Sequence, residues 1–165
     1  MRPRAIVVGR EDGTEVAGPQ GQALIPLITA ATAGASSLSG GVVWMPPGGA
    51  SRAHSHDCSE IIVAVLVGGA ATVVWENGRP RQLLHGVGDM CYVPPGVPHC
   101  AVNVSLWHPV VALEFRTDPE FNTDVILLPE LESELATLVI KLQRDSPATD
   151  PRANPSRTLL RWWAT

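Results

Sequence analysis

This 165-residue chain predicts an all-β domain, closed into a barrel or sandwich and followed by one amphipathic helix. Three observations carry that prediction. The 15 glycines and 15 prolines are spread between short apolar runs instead of gathering in one linker, as in a chain of many short strands joined by turns. Those runs are rich in Val, Ile and Trp, which fit a pleated, half-buried surface. Past Pro129 the apolar spacing changes from a strand's to a helix's.

Eight runs read as strands: residues 5–8, 24–28, 41–45, 60–67, 70–76, 90–93, 99–104 and 110–116. Between the fifth run and the extended piece after it, Asn77-Gly78 supplies the dipeptide that a tight two-residue hairpin favours. From Pro129 onward Leu131, Leu135, Leu138, Val139 and Leu142 recur on one helical face. Glu130, Glu132 and Glu134 fall in the first turns of that helix, and Lys141 and Arg144 near its end, each sign favourable to the helix dipole. Residues 145–156 hold three prolines and read as an extended segment, while Leu159-Leu160-Arg161-Trp162-Trp163 is apolar enough to pack on the barrel or on a second subunit. The layout divides into N-terminal strands over 1–40, a barrel core over 41–116, a linker and helix over 117–144, and a Pro-rich tail with an apolar end over 145–165.

The length suits one domain, and a hydrophobic content of 45% can bury a core. Twelve basic residues against 16 acidic ones give a net charge of −4 with no Lys/Arg-rich run, which argues against a nucleic-acid partner. No window approaches the roughly 18 apolar residues of a membrane span, and residues 1–10 lack the apolar stretch of a secretory signal, so a cytoplasmic, membrane-free protein is expected. Cys58, Cys91 and Cys100 show no CxxC spacing and read as reduced thiols, Cys58 lying nearest the groups described next.

In Gly48-Gly49-Ala50-Ser51-Arg52-Ala53-His54-Ser55-His56-Asp57-Cys58-Ser59-Glu60, two histidines one residue apart project from the same face of an extended chain, so both imidazoles can reach one ion. Glu60 follows a short turn. In the stretch from Gly88 to His99, Pro94-Pro95-Gly96 fixes where the next strand begins and brings up a third histidine. Three neutral imidazoles and one carboxylate suit a divalent ion such as Fe, Mn, Ni, Zn, Co or Cu, with positions left open for water or substrate.

These two stretches resemble the paired motifs of the cupin superfamily, G(X)5HXH(X)3,4E(X)6G and G(X)5PXG(X)2H(X)3N. Gly48, His54, His56 and Glu60 fit the first; Gly88, Pro94, Gly96, His99 and Asn103 fit the second throughout. One departure stands out: seven residues, not six, separate Glu60 from Gly68, which suggests a longer strand or a bulge. The resemblance implies a single jelly-roll β-barrel. It also implies that His54, His56, Glu60 and His99 surround one divalent metal in the barrel mouth, with Glu60 as a steady ligand or as one that swings away to act as general base.

Alternation from Glu60 places Ile62, Ala64 and Leu66 inside as an apolar pocket wall. Trp44, Tyr92 and Phe115 either add aromatic walls or pack as ordinary core, and Glu114 faces either the pocket, as an acid/base, or water. His85 and His108 lie outside both motifs and read as surface groups; Arg52 and Asp57 read as exposed turn residues. The resemblance to single-domain quercetinase-like dioxygenases puts O2-dependent oxygenation of a small aromatic or enolisable molecule first. Resemblance to small cupins that cyclise polyketides or isomerise sugars keeps metal-assisted non-redox chemistry second, and a ligand-binding cupin without turnover third. Only Arg52, Arg79, Arg81 and Arg116 lie near the motifs, which favours an uncharged or aromatic substrate over a sugar phosphate. Small cupins pair through terminal strands, so a homodimer is expected.

Overall fold

The computed structural model describes residues 4–145. In chain order the strands are β1 (Val16–Ala17), β2 (Ala23–Ile28), β3 (Ser39–Met45), β4 (His54–His56), β5 (Ile61–Val67), β6 (Gly69–Glu76), β7 (Arg79–Gly86), β8 (Met90–Val93), β9 (His99–Asn103), β10 (Val110–Arg116) and β11 (Val125–Leu127). A short helix α1 (Ala30–Ala33) follows β2, and a 3-10 turn at Pro129–Leu131 leads into α2 (Glu132–Asp145). The strands form two antiparallel sheets, β1-β2-β3-β10-β5-β8 and β11-β4-β9-β6-β7, in a jelly roll.

The alternation of β6 shows how the layers are built. Ala71, Val73 and Trp75 point out of the barrel and join Ala53, Cys100, Val102 and the α2 residues Leu135 and Leu142 in one core. Ala70 points the other way and joins Leu24, Val43, Met45, Val65, Val110 and Phe121 inside the barrel. Nearly all of β6 is therefore buried, on both faces. Leu131 from the 3-10 turn and Leu135, Leu138, Val139 and Leu142 from α2 pack as one stripe, as their spacing requires. Two first-turn carboxylates fix the helix to the sheet: Glu132 accepts from the Ala53 backbone N–H at 3.0 Å and Glu134 from the Trp75 indole N–H at 2.7 Å. None of the helices of the described residues is long and apolar enough to cross a membrane.

Asn77 and Gly78, at φ 52° and 71°, close the β6–β7 hairpin with the left-handed pair that a type I′ turn needs. Asn103, fully buried, donates to the Pro46 and His108 carbonyls and accepts from the Ser105 backbone N–H, tying two loops to the end of β9.

Two expectations need correction. Residues 5–8 form no strand; Ile6 and Val7 are 43% and 96% exposed, and the sheet edge is taken instead by β1 pairing with β2. A four-residue apolar run has no register of its own, and without a neighbour to pair with it stays extended in water. The expected 145–165 tail begins one residue too early, since Asp145 still belongs to α2; the apolar segment 159–163 lies outside the described residues.

Candidate metal centre

β4 and β9 sit side by side in the five-stranded sheet and meet at a single pair, His54 and His99. His56, two residues along β4, shares the inward face, so one ring nitrogen from each of the three histidines lies within 4.8 Å of the others. The rings stand 4.2–5.4 Å apart between centroids, and all three are buried.

Each ring's Nδ1 is already committed. His54 donates from Nδ1 to the Arg52 carbonyl at 2.8 Å and His99 to the Val97 carbonyl at 2.9 Å, both from the chain just before them. A carbonyl oxygen only accepts, so the proton sits on Nδ1 and the lone pair on Nε2. His56 does the same with the Asp124 carboxylate at 2.9 Å. Nε2 is thus the nitrogen left free on every ring, a donor set that fits a divalent ion and is oriented by hydrogen bonds outside it. Burial, followed by the neighbouring His99 charge, pushes His54 down to about 2. Burial is also the main cause that takes His99 down to about 4 and lowers His56, which Arg116 lowers further. The three rings are neutral at pH 7, the form a metal requires.

Asp124 is a part of the site that sequence reasoning missed. Its second oxygen accepts from the Ser59 backbone N–H at 2.9 Å, the Ser59 hydroxyl at 2.6 Å and the Cys58 backbone N–H at 3.3 Å. Desolvation works against the ionised form, yet the hydrogen bonds from Ser59 and His56 hold this carboxyl well below the usual range. Nothing in either motif points to a residue 68 positions beyond His56. Cys58 is exposed and touches Asp124, not the histidines.

Glu60 is not brought to the histidines. Among the described residues the group of close ligand atoms is His54, His56 and His99 alone, and Glu60 is exposed on the outside, its carboxylate beside the Tyr92 hydroxyl. The inward position on β5 belongs to Ile61, 2% exposed and lining the cavity. The motif allows three or four residues before its glutamate; with four, followed by six to the glycine, the count falls on Ile61 and not on Glu60. Gly68 anchors that count, because at φ 85° a Cβ there would come within 2.6 Å of the Pro109 carbonyl. A register shift does fall near the end of β5, opposite Val111 and Ala112, as the long spacing suggested.

The pocket wall shifts by one residue with it. The cavity beside the triad is lined on β5 by Ile61, Val63 and Val65, while Ile62 and Leu66 are each 38% exposed and Ala64 is not part of the wall. Trp44, Tyr92 and Phe115 are also exposed on the outer face, because the lining residues of their strands are Val43 and Met45, Val93, and Glu114 and Arg116. Glu114 does face the pocket. It pairs with Arg116, two residues on and so on the same face, and both are nearly fully buried. Arg116 also donates to the Asn122 side-chain oxygen and stacks 4.9 Å over the Phe121 ring, and its Nε has no partner. His85, expected at the surface, lines the same cavity from β7. The enclosed space is about 40 Å³, roughly the room of one or two water molecules.

Residues 41–115 match the family described as "Cupin domain". The match covers a little under half of the 165 residues and takes in the strands that carry the three histidines. A search of curated proteins finds no match to it. Among solved structures, the chain is similar to Lactobacillus farciminis oxalate decarboxylase in its formate complex, at 22% identity and TM-score 0.62 over 83% of this chain and 40% of that one. It is also similar to Bacillus subtilis oxalate decarboxylase, in a study of its Mn(II) centres, at 20% identity and TM-score 0.59 over 81% and 38%. A third, oxalate oxidase, is 18% identical with TM-score 0.58 over 78% and 73%. The chain spans about two fifths of the length of the two decarboxylases, and at these identities the likeness is one of fold.

Proposed function

We propose that this chain is a cupin that binds one divalent metal ion through Nε2 of His54, His56 and His99 and acts on a small aromatic or enolisable molecule, with O2-dependent dioxygenation as its reaction. One observation supports the reading above all: three Nε2 lone pairs converge in an apolar pocket while every Nδ1 is held by an acceptor outside it. A bound ion would supply Lewis acidity there and, if redox-active, a path for electrons to O2.

The residues of the chain account for the rest. With three neutral ligands and no carboxylate among them, the site favours an anionic oxygen, an enolate or a phenolate, as the partner that balances charge. Arg116 spends its charge on Glu114 and offers little to a second anion. Glu114, the carboxylate on the pocket wall, is the group to take the proton from an enolisable substrate. Val43, Val65, Val110 and Ala112 keep the body of the ligand away from water. The same base would also serve cyclisation or isomerisation without oxygen, so the reaction class turns on the metal. The exposed outer-face row of Phe115, Ile62 and Tyr92, paired across β10, β5 and β8, supports a homodimer.

The test is metal analysis of protein purified without chelator, followed by oxygen-electrode trials with one-ring enols in air and under argon. One equivalent of Fe, Mn, Ni, Co or Cu with oxygen uptake is the expected result, and the Mn(II) of the Bacillus decarboxylase makes manganese an early ion to supply. Zinc with turnover but no uptake would move the assignment to non-redox chemistry. No stoichiometric metal would overturn it.

A further inference from the structure

Two side chains form a partition between the cavity beside the triad and a hollow on the surface. Gln22 and Met45 line the cavity, and both also line a separate space of about 250 Å³ whose other walls are Gly21, Ala23, Trp44, Pro46, Gly49 and Ala50. Gly21, Trp44, Pro46 and Ala50 are exposed, so that hollow meets water, while Gln22 and Met45 themselves are buried. The pairing of β2 with β3 sets the two opposite each other. Ala23 stands across from Trp44, and one step on Gln22 faces Met45, a cross-strand Cβ separation of about 4.5–5.5 Å.

The partition is held unevenly. Gln22 Oε1 accepts from the Gln20 amide at 3.1 Å, and Gln20 is tied in turn to Asn122 at 3.2 Å. Asn103 donates to the Met45 and Pro46 carbonyls, at 3.5 and 2.8 Å, and fixes the backbone there. The Met45 thioether has only the Gln22 amide, 3.8 Å from Sδ, and sulfur is a weak acceptor. An unbranched side chain with three rotatable bonds can turn aside while its backbone stays in place. The other approaches are fastened more firmly. The hollow between β7 and β8 meets the cavity at His85, whose ring is held 3.0 Å from the Thr72 hydroxyl. On β10 the cavity wall is the Glu114–Arg116 pair, with Arg116 bound to Asn122.

Size decides what such a partition does. An apolar cavity of about 150 Å³ takes a benzene ring. The enclosed space at the triad, about 40 Å³, is far below that, whereas the same space joined to the hollow is well above it. No charged side chain lines the hollow, and Trp44 offers it an aromatic wall.

We propose that Met45 and Gln22 are specificity-determining residues that set the size of molecule the triad admits: with Met45 in place only a ligand of about three atoms fits, and with Met45 turned aside the cavity and the hollow form one chamber for an uncharged one-ring molecule. The proposal rests on the metal-centre reading for what the ligand meets at the inner end, and on the cavity walls for the rest.

The experiment titrates catechol and azide separately into the cobalt-loaded protein and follows the visible spectrum. Azide, three atoms long, needs no movement of the partition; catechol does. Met45→Leu keeps the volume but stiffens the side chain, and should weaken catechol about tenfold with azide unchanged within about twofold. Gln22→Ala thins the partition and should tighten catechol about tenfold, again with azide unchanged. A merely structural role would move both probes alike and leave their ratio intact. A catechol-to-azide ratio within twofold of wild type in either variant would overturn the proposal while leaving the metal centre standing. If the wild type takes up no cobalt, the proposed function fails, and phenol added to the metal-free protein still decides this point. It should shift the methyl resonances of Val65 and Val110, which line the cavity, more strongly in Gln22→Ala than in the wild type, and equal shifts or none would overturn the proposal.

Discussion

Replacing Asp124 by alanine removes the group that orients His56, and the structure gives the size of the effect. The carboxylate accepts three good hydrogen bonds, from His56 Nδ1 and from the Ser59 N–H and hydroxyl, and Ser59 is 1% exposed, so water cannot fully replace them. At about 1 kcal/mol for each bond the loss is about 3 kcal/mol. For a domain near this size that corresponds to a fall in Tm of roughly 6–12 °C. The second consequence is chemical. Without the acceptor, the His56 proton can move to Nε2 and cover the lone pair a metal needs, so affinity should fall about 10–100-fold. Scanning calorimetry of the metal-free protein reads the first quantity and isothermal titration with Co(II) or Zn(II) the second. Asp124→Asn, which keeps one acceptor oxygen but no charge, should lie between. A variant whose Tm drops by under 2 °C and whose metal affinity is unchanged would refute the claim that Asp124 fixes the ring.

Three further outcomes follow from the same geometry. His54→Ala and His99→Ala should each abolish stoichiometric metal in elemental analysis, and retention by both would remove the triad as the ligand set. Glu60→Gln should leave metal content and affinity within about twofold of wild type, because its carboxylate sits outside beside Tyr92; loss of metal would return Glu60 to the ligand set. The metal-free protein should weaken in acid: His54 and His99 are depressed to about 2 and about 4 against 6.5 when unfolded, so below pH 6.5 the unfolded chain binds more protons than the folded one. Stability should then fall as pH drops from 6.5 toward 4, by up to about 1.4 kcal/mol per pH unit for each ring. Urea melts at pH 7 and pH 5 check this, and equal midpoints would contradict it.

The histidine triad and the barrel were legible in the sequence because both depend on local spacing. Two residues apart on a strand means one face, and this placed His54 with His56; the Pro94-Pro95-Gly96 turn placed His99 at the start of β9. Glu60 was misplaced because the motif tolerates two spacings, and only the direction of the chain leaving Ser59 chooses between them. That single residue carried the pocket wall with it, since alternation started from the wrong side turns a whole strand inside out, and Ile62, Ala64 and Leu66 stood in for Ile61, Val63 and Val65. Arg116 was reachable in principle, being two residues from Glu114 on the same strand. Asp124 and the Thr72–His85 pair were not, because what brings them to the cavity is the closure of the sheets, and tertiary contact leaves no mark on local spacing.

The three thiols of this chain are graded by access. Cys58 is exposed and Cys91 is buried, whereas Cys100 is fully enclosed under α2, donates from Sγ to the Ser51 carbonyl at 3.0 Å, and is pushed by burial up to about 12. A thiol in that state reacts only when the helix and the sheet beneath it part. The chain therefore carries its own clock for breathing motions: a disulfide reagent should consume Cys58 at once, while the rate at which Cys100 follows measures how often the layer between α2 and the β6–β9 pair opens.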